Sequence, residues 1–140
     1  SLLAIIDKDL FRLKVGKQLF TSQGPKAIDE LRTLGFDIFL DLKLHDIPNT
    51  VANGIKAIAK LNPYFTTIRL SGGDEMQKIS SNFKINTKIL GVSILTSLDS
   101  KQTKKYYNNN NVKEIVSNFA KNALINKLEK VSGIEKVVRD

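Results

Sequence analysis

From Phe36 to Leu44 the chain is almost wholly apolar, and helix-like patterns stand on both sides of it. Ile28, Leu31 and Leu34 give helical spacing before the run; Val51, Ala52, Ile55, Ile58, Ala59 and Leu61 give it after. A short apolar strand between two amphipathic helices belongs in a parallel sheet whose crossovers are helical. Asp41 and Lys43 interrupt this run at a spacing of two, so a plain strand projects both from one face. Burying charge costs several kcal/mol unless the charge is paired or used. A simple ion pair at the strand end is the stability-only explanation, but Asp46 follows at once in the turn. Three charges so close point to an active site over Phe39–Thr50.

The same alternation runs through the rest of the chain. Residues 2–12 carry helical spacings and read as the tail of a helix. Leu13–Gly16 reads as a short strand holding Lys14, for which a snorkelling lysine at a strand edge is the plain reading from this stretch alone. Residues 17–25 read as a loop, with Gly24-Pro25 as a breaker and Pro25 opening a helix that Gly35 closes. Pro48 favours an extended Ile47, and Asn49 or Thr50 is expected to cap the following helix. Asn62-Pro63 stops that helix. Strands are expected over residues 64–70, 88–95 and 128–131, and helices over residues 74–80, 112–124 and from Ile134 to Arg139. Residues 101–111, with four consecutive Asn, read as a loop or a weak helix.

Strict β/α alternation admits a barrel or an open doubly wound sheet. The open sheet usually carries a glycine-rich nucleotide turn after its first strand, and none occurs here. A barrel gathers chemistry at the carboxyl ends of its strands, where Lys14, Asp41, Lys43 and Thr96 fall. Complete barrels take about 250 residues, and this chain has 140. The expectation is an α/β chain of the TIM (β/α)8 barrel class with five or six β/α units, residues 1–140 forming one partial domain. The opening Ser rather than Met suggests that residues precede it.

Composition excludes several classes. There is no cysteine, so disulfides and thiolate metal sites are out, and one His makes a zinc or iron site an unsuitable reading. No apolar run approaches the roughly 18–20 residues of a membrane span, and no signal segment opens the chain; a cytoplasmic protein with no membrane partner is expected. The net charge of +8 fits capture of an anionic, phosphorylated substrate, and it fits compositional drift equally well. Nucleic acid is not the expected partner, because the lysines are scattered and no recognition motif appears.

Taken together, Lys14, Asp41, Lys43 and Asp46 would make an alternating array of ammonium and carboxylate groups. Such an array suits Lys43 to proton donation. A substrate carboxylate placed beside these aspartates would be repelled, by roughly 4 kcal/mol for unit charges about 4 Å apart at an effective dielectric near 20, until it left as carbon dioxide. Electrostatic stabilisation of the resulting carbanion is the firmer contribution.

These residues also carry a resemblance. Asp41-Leu42-Lys43-Leu44-His45-Asp46-Ile47-Pro48-Asn49-Thr50 resembles the signature of the bacterial orotidine 5'-phosphate decarboxylase family. Residues 13–21 with Gly24-Pro25, Ser71-Gly72-Gly73 with Met76, and Leu95-Thr96-Ser97 resemble further family segments, and Val131-Ser132-Gly133 with Glu135 does so more weakly. The resemblance implies a (β/α)8 barrel that dimerises and converts orotidine monophosphate to uridine monophosphate with no metal or other cofactor. It implies that Lys43 protonates the carbon vacated by carbon dioxide and that Asp41 lies nearest the departing group. Lys14 would brace Asp41 and contact the ribose; Asp46, with Ile47 and Thr50, would serve the partner's site across a homodimer interface; Thr96 would contact substrate near its base. The family's first strand, with a ribose-binding aspartate, is expected before Ser1, and its phosphate-gripping loop after Asp140. Arg69-Leu70 stands where the family commonly has His-Ala, read as neutral drift. Two rivals are a magnesium-dependent sugar-phosphate decarboxylase or aldolase of the same superfamily, against which Ile47–Thr50 argues, and a non-catalytic basic nucleotide-binding domain.

Overall fold

The computed structural model describes residues 2–83, 85–128 and 130–132. Five strands, β1 (Leu13–Gly16), β2 (Ile38–Leu44), β3 (Phe65–Arg69), β4 (Lys88–Val92) and β5 (Lys130–Ser132), form one sheet in the order of the chain. Every neighbouring pair is parallel. A doubly wound sheet reverses its strand order partway; this sheet never does. Right-handed crossovers that always advance in one direction place the helices on one face. The architecture is therefore an arc of the barrel type.

The helices are α1 (Lys17–Gln23), α2 (Pro25–Thr33), α3 (Pro48–Leu61), α4 (Asp74–Ser81), α5 (Ser100–Tyr107) and α6 (Val112–Ile125). The side of the sheet that carries Val15, Ile38, Leu40 and Ile68 is sealed under them, and each of these side chains is essentially inaccessible. Ile28 of α2 and Ile58 of α3 pack against Val15, Ile38 and Leu40. Val51 and Ile55 of α3, Met76 of α4 and Ala123 of α6 close over Ile68 and Leu70. Burial thus follows the strand period of two and the helical period read from the sequence. The alternate positions, Lys14, Phe39, Asp41, Phe65 and Thr67, share the opposite, inner face, as their pairing shows.

Several local expectations are corrected. Residues 2–12 are not a helix tail: Leu2–Ala4 make one 3-10 turn, and bends and turns follow to Leu10. Ile5, Leu10 and Phe11 are exposed, so their helical spacing marks no packed stripe. The segment expected as a loop holds α1, which buries no residue and so leaves no apolar periodicity to read. Helix α3 is capped neither by Asn49 nor by Thr50. Its N-cap is Ile47, extended at φ −58° and ψ 152° as a residue before proline should be, and Pro48 is its first residue. Of the two readings of residues 101–111, the helix holds for the first part: α5 is capped by Asp99, whose side chain accepts from the Gln102 N–H at 2.9 Å. Gly35 lies just past α2 with φ +91°, the left-handed C′ position where glycine avoids a Cβ clash. The helix expected over Ile134–Arg139 lies outside the described residues. Among the described residues no helix is long and apolar enough to cross a membrane.

Candidate active site

Strand β2 does not run straight through its charged end. Between Leu40 and Leu44 it passes only the two steps of β3 from Thr66 to Ile68, so it carries a bulge there. Lys43 sits in this bulge with φ +54°, a left-handed conformation that costs a non-glycine residue about 1–3 kcal/mol. Bulges of this kind re-aim side chains at sheet ends. Here the result is contact: Lys43 Nζ donates to Asp41 Oδ2 at 2.7 Å. The two charges meet as the spacing suggested, although through a bulge and not a plain pleat.

Lys14 joins from β1. Its neighbour Gly16 pairs with Asp41, which sets Lys14 two residues back on the same face, and its Nζ lies 3.6 Å from Asp41 Oδ2. The Lys14 side chain is 60% exposed and that of Lys43 29%, against 10% for Asp41. Solvent therefore screens the Lys14 pair strongly, and Lys43 is the closer and drier partner. The second Asp41 oxygen accepts from the Thr67 hydroxyl at 3.0 Å, and that hydroxyl accepts the Lys43 backbone N–H at 2.8 Å. Thr67 is the residue that sequence reasoning missed. The sequence offers only a strand threonine, ordinary by composition; the bulge that gives it a role is a matter of pairing.

Burial of Asp41 pushes its pKa up, but the hydrogen bonds from Lys43 and Thr67 and the charges of Lys43 and Lys14 outweigh burial and hold it below the ordinary 3.8. A carboxylate whose folded value is depressed stabilises the fold above its unfolded value, and that contribution is lost as pH falls through the folded value. The stability of the parent chain relative to Asp41→Asn should therefore stay flat from neutrality to about pH 4 and fall below it. Urea unfolding of both chains across that range checks this; parallel curves below pH 3.8 would remove the linkage.

The other expected site residues lie in the segments that follow the carboxyl ends of β2 and β4. Asp46, Ile47 and Thr50 are exposed in the turn after β2 and the first turn of α3. Asp46 Oδ1 accepts the Ile47 N–H at 2.7 Å and makes no ion pair among the described residues, so the structure does not bring it to Lys43. Thr96 is exposed in the turn after β4. His45 Nε2 and Ser71 Oγ are 3.4 Å apart, which links the β2 turn to the β3 turn.

A buried amide network holds the Ser71-Gly72-Gly73 turn. Gln77 Nε2 donates to the Leu70 carbonyl at 2.8 Å, and Asn126 Nδ2 donates to Gln77 Oε1 and Asp74 Oδ1, both at 3.0 Å. Gly72 leaves the space that the Met76 sulfur fills, and a Cβ there would overlap it. Leu70, 1% exposed, lies over Gly91, where an added Cβ would stand 2.6 Å from Leu70 Cδ2. Of the Arg69-Leu70 pair, Leu70 thus belongs to the core.

Comparisons with known proteins give the family and the fold. The family model described as "Orotidine 5'-phosphate decarboxylase / HUMPS family" matches residues 1–134. The orotidine 5'-phosphate decarboxylase of Ligilactobacillus salivarius is 44% identical over 140 residues, covering 94% of this chain and 56% of the relative. That of Saccharophagus degradans is 42% identical over 103 residues, covering 71% of this chain and 43% of the relative. A crystal structure of orotidine 5'-phosphate decarboxylase from Lactobacillus acidophilus superposes with a TM-score of 0.79 at 36% identity, over 93% of this chain and 62% of that one. The chain spans about half the length of the curated relatives it matches.

Proposed function

The chain belongs to the orotidine 5'-phosphate decarboxylase / HUMPS family, and from that premise we propose that the whole protein decarboxylates orotidine 5'-monophosphate to uridine 5'-monophosphate, the last step of UMP synthesis. The observation that carries this reading is the Lys14–Asp41–Lys43 array on the inner face of the sheet, with Lys43 2.7 Å from Asp41. In the proposed reaction the bond between the pyrimidine ring and the substrate carboxylate breaks, and its electron pair stays on the ring carbon. Carbon dioxide departs beside Asp41. The Lys43 ammonium, aimed by its bond to Asp41, stabilises the growing negative charge and then delivers its proton to the same carbon. Electrostatic preorganisation of this kind needs no metal or organic cofactor.

In this reading Lys14 braces Asp41 from the solvent side and contacts the ribose, and Thr96 contacts substrate near its base. Asp46, Ile47 and Thr50, exposed beside the cluster, are assigned to the second subunit's site in a cytoplasmic homodimer. Residues 1–140 act in this proposal as one partial barrel-type domain.

The family description also covers HUMPS, so a sugar-phosphate reaction assisted by magnesium is the reading to be tested against. Incubation of the whole protein with orotidine monophosphate, followed by the loss of orotidylate absorbance, should show turnover that a chelator leaves unchanged. No turnover, or turnover that the chelator abolishes, would overturn the proposal.

A further inference from the structure

Bulging β2 removes the Lys43 N–H from the regular ladder to β3, and a buried backbone donor needs a partner. Thr67 supplies it from a side chain. The hydroxyl oxygen accepts this N–H at 2.8 Å, while the hydroxyl hydrogen goes to Asp41 Oδ1 at 3.0 Å. Asp41 Oδ2 in turn accepts from Lys43 Nζ at 2.7 Å. The circuit starts on the backbone of Lys43 and ends on its ammonium, and Thr67 is its one neutral member. A hydroxyl accepts and donates at once through a single atom, and β-branching limits its rotation. Thr67 is 1% exposed, so water does not stand in for it.

We propose that Thr67 is a positioning residue of the proton-transfer centre, fixing both the left-handed turn at Lys43 and the orientation of Asp41 so that the ammonium is held at one point on the inner face. Its role in turnover rests on the decarboxylase reading; its role in holding Asp41 does not. Neighbouring Thr66 offers an internal control. It is equally buried, but its hydroxyl donates to the Leu40 carbonyl at 3.1 Å and touches neither charge.

The test compares Thr67→Val, Thr67→Ser and Thr66→Val in the whole protein. Thr67→Val keeps the shape and removes the hydroxyl. Misplacement of a reacting group by about 1 Å can cost on the order of a hundredfold, so kcat should fall by about that factor while KM changes far less. Removing a hydrogen bond to the ionised carboxylate moves its titration upward, which carries the acid limb of the kcat–pH profile up with it. Thr67→Ser should recover most of kcat and the parent profile, and Thr66→Val should leave both alone.

Carbon-13 NMR of the Asp41 carboxyl reads the same shift without any turnover: upward in Thr67→Val, restored in Thr67→Ser. An Asp41 titration that does not move in Thr67→Val overturns the positioning role. Parent-level kcat in Thr67→Val, or a loss that Thr67→Ser does not recover, overturns it as well. If the NMR shift appears in a protein that does not turn over orotidine monophosphate, the substrate assignment fails and the structural role of Thr67 stands.

Discussion

Lys43→Ala should lower the turnover of orotidine monophosphate by about 10²- to 10⁴-fold, the range that a positioned proton donor contributes, and should leave the fold in place. The second half of this expectation follows from the geometry. Alanine keeps a Cβ, so the left-handed backbone at φ +54° carries the same strain before and after. Asp41 loses its 2.7 Å ammonium partner but retains the Thr67 hydroxyl at 3.0 Å and the Lys14 charge at 3.6 Å. The buried carboxylate is therefore not left alone, and the large penalty for an uncompensated buried charge is avoided. Circular dichroism and thermal unfolding read the fold; steady-state kinetics reads the chemistry. A variant that folds and decarboxylates within a few-fold of the parent removes Lys43 from the proton-donor role. A variant that does not fold makes Lys43 a structural residue first, contrary to the geometry above.

What the sequence made legible depended on where the information lies. Runs rich in apolar and β-branched residues, and helices with an apolar stripe, are written in consecutive residues, so β2, β3, α3 and α6 could be read directly. Helix α1 could not, because it fully buries no residue and sets only Phe20 against the core, and periodicity is a record of burial. Residues 2–12 failed in the opposite way: their spacing is helical, yet Ile5, Leu10 and Phe11 face solvent. The start of α3 was misplaced because Asn49 and Thr50 are favoured caps by type, whereas the fixed backbone of Pro48 had already set the first turn.

The charged residues of the site were visible because charge in an apolar run needs a cause. Thr67 was not singled out, because a threonine in a strand is ordinary by composition. Its importance comes from the bulge in β2, which is a mismatch of register between two strands. Such a mismatch is a property of the pairing, and neither strand contains it alone. The same reasoning separates Asp46 from the cluster. Sequence proximity groups it with Asp41 and Lys43, but the turn after β2 leaves it exposed, where its carboxylate accepts the Ile47 N–H and makes no ion pair among the described residues.

That exposed position gives the second large effect. If Asp46 serves a neighbouring subunit, Asp46→Asn and Lys43→Ala damage opposite halves of a shared site, and each variant alone should be almost inactive. In the proposed homodimer, co-expression gives mixed dimers in which one site collects both substitutions and the other collects neither. The intact site should give such a dimer about half the parent activity by symmetry, and a random mixture about a quarter. Ile47, 67% exposed beside Asp46, is placed to be covered in the same contact. Purifying the mixed dimer with two different tags, and assaying it beside each homodimer, separates the cases. If Asp46 acts within its own subunit, every mixed dimer holds one defective site of each kind and recovers nothing, so silence from a verified mixed dimer would return Asp46 to its own chain.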